Sequence, residues 1–145
     1  MKIVICSSLN FTPQISDVAK RLQELGHEVI IPKTSEMILK GEITLEEIKK
    51  EKEQGGFVKR VIQQDSIRRY YEKIQATEAI LVLNYDRQGI KNYIGGNTFL
   101  EIGFAHVLNK KIFLLNPTPE IEYYKIEIES TQPVILNGDL SRIIN

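Results

Sequence analysis

An intrachain disulfide is closed to this sequence, because it has one cysteine, Cys6, and a bridge needs two. Histidine is nearly as scarce, with only His27 and His106. These three side chains have no metal-ligand spacing, so no zinc site is expected. Charge of one sign is not in excess: 19 Lys+Arg stand against 19 Asp+Glu. That balance gives no electrostatic reason to expect a nucleic-acid polymer or an acidic membrane as partner. Long hydrophobic runs are missing, so no membrane-spanning segment is expected. The N-terminal apolar run Ile3–Cys6 is far too short for a secretory signal, and the expected location is cytoplasmic. Neither GxGxxG nor GxxxxGK[ST] occurs, which argues against a dinucleotide-binding dehydrogenase and a P-loop NTPase. No serine sits in a G-x-S-x-G elbow.

What is there suits one domain with a real core. The chain has 145 residues, 42% hydrophobic and 26% charged, both ordinary for a globular fold. Lys2–Cys6 reads as a buried strand. Ser7–Phe11 is a polar loop, and Thr12-Pro13 reads as an N-cap followed by proline at the first helical position. Ile15, Val18, Ala19, Leu22 and Leu25 follow at helical spacing, and Gly26 closes that helix. His27–Ile31 is a second strand. The stretch from Lys33 to Gln54 is rich in Lys and Glu, and Thr44–Glu47 predicts a capping box opening a helix over Leu45–Lys52. This segment, around residues 34–56, is either a solvated surface helix or a flap over a site. Phe57–Gln75 reads as one long helix, Ala79–Leu83 as a central strand, Tyr85–Asn97 as a polar loop and Thr98–Leu108 as a helix. Lys111–Leu115, a short helix near Ile121–Ile128, a strand Pro133–Leu136 and a terminal helical turn at Leu140–Ile144 complete the order.

Alternating strands and helices predict a single α/β domain over residues 1–145. It would be an open parallel sheet of about five strands, order 2-1-3-4-5, flanked by helices in the Rossmann-like or flavodoxin-like manner. Such sheets bind ligands at the carboxyl ends of their strands, near the switch point. The loops expected there are Ser7–Phe11, Asn84–Asn97 and Asn116–Pro119. Ser7 and Ser8 offer hydroxyls and N–H groups to an anion or form an ordinary turn. Gly95-Gly96-Asn97, opening a helix, is the better anion site. Cys6, at the end of the first strand, reads as a small core residue. Two carboxylates stand out. Asp65 lies four after Val61 and three after Ile62, on or beside the apolar stripe. Glu101 lies inside an apolar helix, and Thr98–Glu101 has capping-box spacing. Paired carboxylates at a sugar would point to glycosidic chemistry through a covalent glycosyl intermediate.

Several stretches resemble the nucleoside 2-deoxyribosyltransferase-like family, which includes deoxynucleoside monophosphate N-glycosidases. These are ICSSLNF with the helix and GHEVIIP after it, then ILVLN, then GGNTFLEIGFAHVLNKKIFLL. The resemblance covers most of the chain. Glu101-Ile-Gly-Phe-Ala105 matches the E-[ILM]-G-x-A context of the family nucleophile, and Asp65 in QQDSIRRYYEKI matches its Asp. Two departures stand out. Gly95 occupies the position six before the Glu, where the nucleoside transferases usually carry an acid. Ser7 replaces Gly in the "C-G-S" loop of the deoxynucleotide N-glycosidases. Both tilt the expectation towards a phosphorylated substrate and hydrolysis.

The resemblance implies N-glycosidic cleavage or deoxyribosyl transfer on a nucleoside or nucleoside 5′-monophosphate. Glu101 would be the nucleophile and Asp65 the proton donor. Ser7, Ser8, Gly95, Gly96 and Asn97 would hold the sugar-phosphate end, Phe11 would stack on the base, and Asn84 and Tyr85 would line the floor. No metal or organic cofactor is implied. A catalytically silent nucleotide-binding or sensing module on the same scaffold is the alternative. A homodimer or larger assembly is expected, with Tyr123 and Tyr124 reaching the partner's cleft. Otherwise both tyrosines cover their own sheet.

Overall fold

The computed structural model describes residues 1–144. Five parallel strands form one sheet in the order β2-β1-β3-β4-β5, as the alternation of elements predicts. They are β1 (Lys2–Ser7), β2 (Glu28–Ile30), β3 (Ala79–Leu83), β4 (Lys111–Leu114) and β5 (Val134–Ile135). Seven α-helices accompany them among the described residues: α1 (Thr12–Glu24), α2 (Lys33–Leu39), α3 (Leu45–Glu53), α4 (Gly56–Gln63), α5 (Ser66–Gln75), α6 (Gly96–Val107) and α7 (Lys125–Ser130). None is long and apolar enough to cross a membrane.

The central strands are β-branched or leucine-rich and covered on both faces, as parallel strands require. Side chains of a strand alternate between faces, which splits the core in two. Ile3, Ile5, Leu81 and Leu83 pack with Ile15, Val18 and Leu22 of α1. Val4, Cys6, Ile80 and Val82 pack with Tyr70 and Ile74 of α5 and Ile102 and Ala105 of α6. Cys6 therefore lies beneath α6, on the face that carries Glu101. The order reverses between β1 and β3, whose carboxyl ends align with Ser7 opposite Leu83. That is the switch point, where a parallel sheet opens a crevice.

Local signals hold in some places and fail in others. Gly26 closes α1 with a positive φ of 85°, and Thr44 and Glu47 form the reciprocal capping box of α3. Thr12 is not an N-cap. A 3₁₀ turn at Leu9–Phe11 runs straight into α1, and the Thr12 hydroxyl donates to Leu9 O at 2.6 Å. The long helix expected over Phe57–Gln75 is two helices. Asp65 sits between them in the left-handed region, φ 47° and ψ 43°, a conformation that Asp tolerates better than most residues.

The charged segment is ordered into α2 and α3 and runs into α4. Ile43 and Ile48 anchor it with buried side chains. Arg60 of α4 donates from two nitrogens to the Glu51 carboxylate of α3, and the Lys52 ammonium lies 4.8 Å from the centre of the Phe57 ring.

Candidate active site

A cleft of about 340 Å³ opens at the carboxyl ends of β1 and β3. The loop Ser7–Leu9 and the start of α6 line it on the sheet side, and α2–α5 on the other. Glu101 is its one acidic lining residue among those described.

Glu101 is held in the second turn of α6 and is 5% exposed. It does not cap the helix. The N-cap is Gly95 and Thr98 is already helical, so the capping-box spacing is coincidental. Instead Asn97, four residues earlier and on the same helix face, donates from Nδ2 to Glu101 Oε1 at 2.9 Å. Glu101 Oε2 has no hydrogen-bond partner among the described residues. Burial raises the acid from 4.5 to about 8, while the neighbouring Cys6 thiol and the Asn97 amide each favour the ionised form. The Cys6 thiol is pushed well up by the same burial and then by the Glu101 charge. Tyr70, also on this wall, donates its hydroxyl to Ile5 O. A buried carboxyl with one unpaired oxygen is costly unless something comes to meet it.

The loop after β3 is built to present Arg87 and Tyr93. Gln88 and Gly89 both have positive φ, 50° and 75°, and Arg87 and Ile90 exchange backbone hydrogen bonds across them. Such a turn needs a residue that accepts positive φ at its second position, and glycine supplies it. Asn92 N donates to Asp86 Oδ1 at 2.8 Å and Tyr93 N to Tyr85 O at 2.9 Å. Arg87 lies 5.3 Å from the centre of the Tyr93 ring. The same tyrosine accounts for Gly95: a Cβ there would fall 3.1 Å from the Tyr93 hydroxyl. A side chain at that position would have to push the Tyr93 hydroxyl aside.

The structure brings Ser7, Ser8, Gly95, Gly96, Asn97 and Glu101 together on the cleft. Other expected residues lie elsewhere. Asp65 is not among the lining residues. Its left-handed backbone turns the side chain off the apolar stripe, leaving it 57% exposed and 3.8 Å from Arg68. Phe11 is buried and meets Tyr85 edge-on at 5.3 Å, so it has no free face for a base. Tyr85 is spent on the same contact. Asn84 is fully buried and stitches the end of β3 to the loop after β4. It donates to Asn116 O and Pro117 O at 2.9 and 3.0 Å, and accepts from Asn116 N at 2.9 Å. Tyr124 stacks on Phe99 of its own chain at 4.7 Å and donates to Ile94 O. Tyr123 is 89% exposed and away from the cleft.

Sequence reasoning missed the cations. Lys33, Lys52, Arg60, Arg69, Lys73 and Arg87 all line the cleft, in a chain with no net charge. Only Arg60 among them has a carboxylate of the described residues in salt-bridge contact. No motif marks these residues, which come from five separate elements. Among the described residues no three His, Cys, Asp or Glu side chains gather as a metal site.

No family model matches the sequence, and no curated protein matches it. Among solved structures, the chain is similar to the CMP N-glycosidase BcmB of Clostridium botulinum. The identity is 17% and the TM-score 0.49, with 94% of this chain and 90% of that chain covered.

Proposed function

We propose that the protein cleaves the N-glycosidic bond of a nucleoside 5′-monophosphate, or transfers its sugar, through a covalent glycosyl–Glu101 intermediate. The observation that carries this reading is the buried Glu101 carboxyl, with one oxygen unpartnered, in a cleft whose other charged lining residues are all cations. Ionised Oε2 adds to the anomeric carbon. The carbon–nitrogen bond breaks, its electron pair leaves with the base, and the base takes up a proton. Water, or a second base, then attacks the same carbon and restores the carboxylate. The first-turn N–H groups of α6 point to the phosphate end, with Ser7 and Ser8 opposite. Arg87 and Lys52 supply positive charge there. The resemblance in the E-I-G-F-A context adds support to the nucleophile assignment.

Asp65 enters this scheme only through a second copy of the chain. It sits at the α4–α5 corner with Val58, Ile62 and Ile67, which are 65%, 71% and 43% exposed. An apolar face of that kind fits the proposal of a homodimer or larger assembly. A clean monomer mass by light scattering at micromolar concentration would refute it.

The rival reading is a nucleotide sensor without turnover. It is favoured by the lack of a second carboxylic acid in the cleft to protonate the base. Incubation with a panel of nucleoside monophosphates, followed by chromatography for free base, separates the two. Base release that is lost in Glu101→Ala supports catalysis. Saturable binding with no base released supports the sensor.

A further inference from the structure

Apart from Arg60, which is paired with Glu51, the cations of the cleft form two groups on opposite sides of Glu101. One group stands at the end of β2. Lys33 opens α2 immediately after that strand, Lys73 donates to Ile31 O at 3.4 Å, and Arg69 is one turn before Lys73 on α5. The other stands at the end of β3, where Arg87 leaves the hairpin beside the start of α6 and Lys52 lies close to it. Glu101 and Cys6 lie at the end of β1, and β1 separates β2 from β3 in the sheet.

Within each group the charges repel. Lys73 is lowered chiefly by burial; the Glu36 charge pulls it back up, and Lys33 and Arg69 push it down again. Lys52 is lowered by burial and then by Arg87. None of these five has a carboxylate in salt-bridge contact among the described residues. Like charges gathered with no carboxylate in contact attract an anion from solution, which makes each group a candidate anion site. The strand ends beside which the two groups stand, β2 and β3, are two strand spacings or roughly 10 Å apart, a span that takes in a whole nucleotide rather than one sugar.

We propose that the ligand carries two anionic groups, one on each side of Glu101: a 5′-phosphate between Arg87, Lys52 and the start of α6, and a second anion, on the base or beyond it, between Lys33, Arg69 and Lys73. This rests on the reading of the cleft as a nucleotide site. It deepens that reading by defining the substrate class as nucleotides with an anionic leaving group.

The test is binding, not turnover. Calorimetry with the Glu101→Gln protein compares uridine 5′-monophosphate, orotidine 5′-monophosphate (the same nucleotide with a carboxylate on the base) and uridine 3′,5′-bisphosphate. The base carboxylate should improve affinity about tenfold or more, as a charge-assisted contact does, and the 3′-phosphate should improve it less. Arg69→Ala should erase most of the advantage of the carboxylate, and Arg69→Lys should keep much of it. Equal affinity for the first two ligands, a larger gain from the 3′-phosphate, an equal loss for all three ligands in Arg69→Ala, or no binding at all would overturn the proposal. Its failure is separable from that of the catalytic reading. Tight binding of the carboxylated nucleotide with no base release by the unaltered protein leaves the two-anion site standing and removes catalysis. Release of base from simple monophosphates, with no gain in affinity from the second anion, does the reverse.

Discussion

Replacing Glu101 with glutamine should stabilise the protein, and by an amount that depends on pH. The carboxyl is raised from 4.5 to about 8 by burial, so the native state binds this proton more tightly than the unfolded chain does. Between those two values the native state holds more protons, and stability falls as pH rises through the window. Each tenfold change in proton affinity is about 1.4 kcal/mol. The loss from this one group therefore reaches roughly 3 kcal/mol at pH 7 and levels off between 4 and 5 kcal/mol above pH 8. Glutamine has the same shape, keeps an oxygen for the Asn97 amide and does not titrate. Titrating groups that do not feel the Glu101 charge cancel in the difference; Cys6 and Tyr70 do feel it, but burial raises both above their already alkaline ordinary values. Urea denaturation of the two proteins from pH 5 to pH 9 should show the variant gaining about 4 kcal/mol relative to the parent across that range. A difference that stays flat with pH would refute the reasoning, whatever its sign, because the buried acid would then cost nothing to ionise.

If Glu101 is the nucleophile it must be ionised, so kcat/KM should rise about tenfold per pH unit up to about 8 and then level; a profile that falls above that value would assign it an acid role instead. Asn84→Ala leaves Asn116 N and two carbonyls, all part-buried, without the partner that the fully buried Asn84 amide supplies. It should cost about 2–3 kcal/mol in chemical denaturation, and a loss under about 0.5 kcal/mol would show that the clamp is not structural. Gly95→Ala should weaken nucleotide binding because its Cβ falls 3.1 Å from the Tyr93 hydroxyl, whereas a Cβ at Gly96 meets nothing within 4 Å. Adding Tyr93→Ala should recover affinity lost to Gly95→Ala if the clash is the cause, and no recovery in calorimetry would reject it.

The elements that the sequence foretold are those whose signals are local. A β-branched run such as Ile3–Cys6 can be buried only as a strand or an apolar helix, and its short length decides between them. Gly26 and the Thr44–Glu47 box act within one turn of themselves, so their effect does not depend on the fold. The position of Glu101 was legible for the same reason, since an acid in an otherwise apolar helix must lie on or near its buried face. What the sequence could not decide were properties that arise between distant residues. Asp65 has helical neighbours on both sides, and only the packing of α4 and α5 imposes its left-handed backbone. Phe11 and Asn84 stand in loops at the right end of the sheet, yet one was taken up by the core and the other by a clamp between strands. The charge of the cleft is the clearest case. Lys33, Lys52, Arg69, Lys73 and Arg87 look like ordinary surface residues in a chain of zero net charge. Local periodicity records which face of its own element a residue occupies; only the order of the strands, with β1 between β2 and β3, brings those charges to either side of one carboxyl.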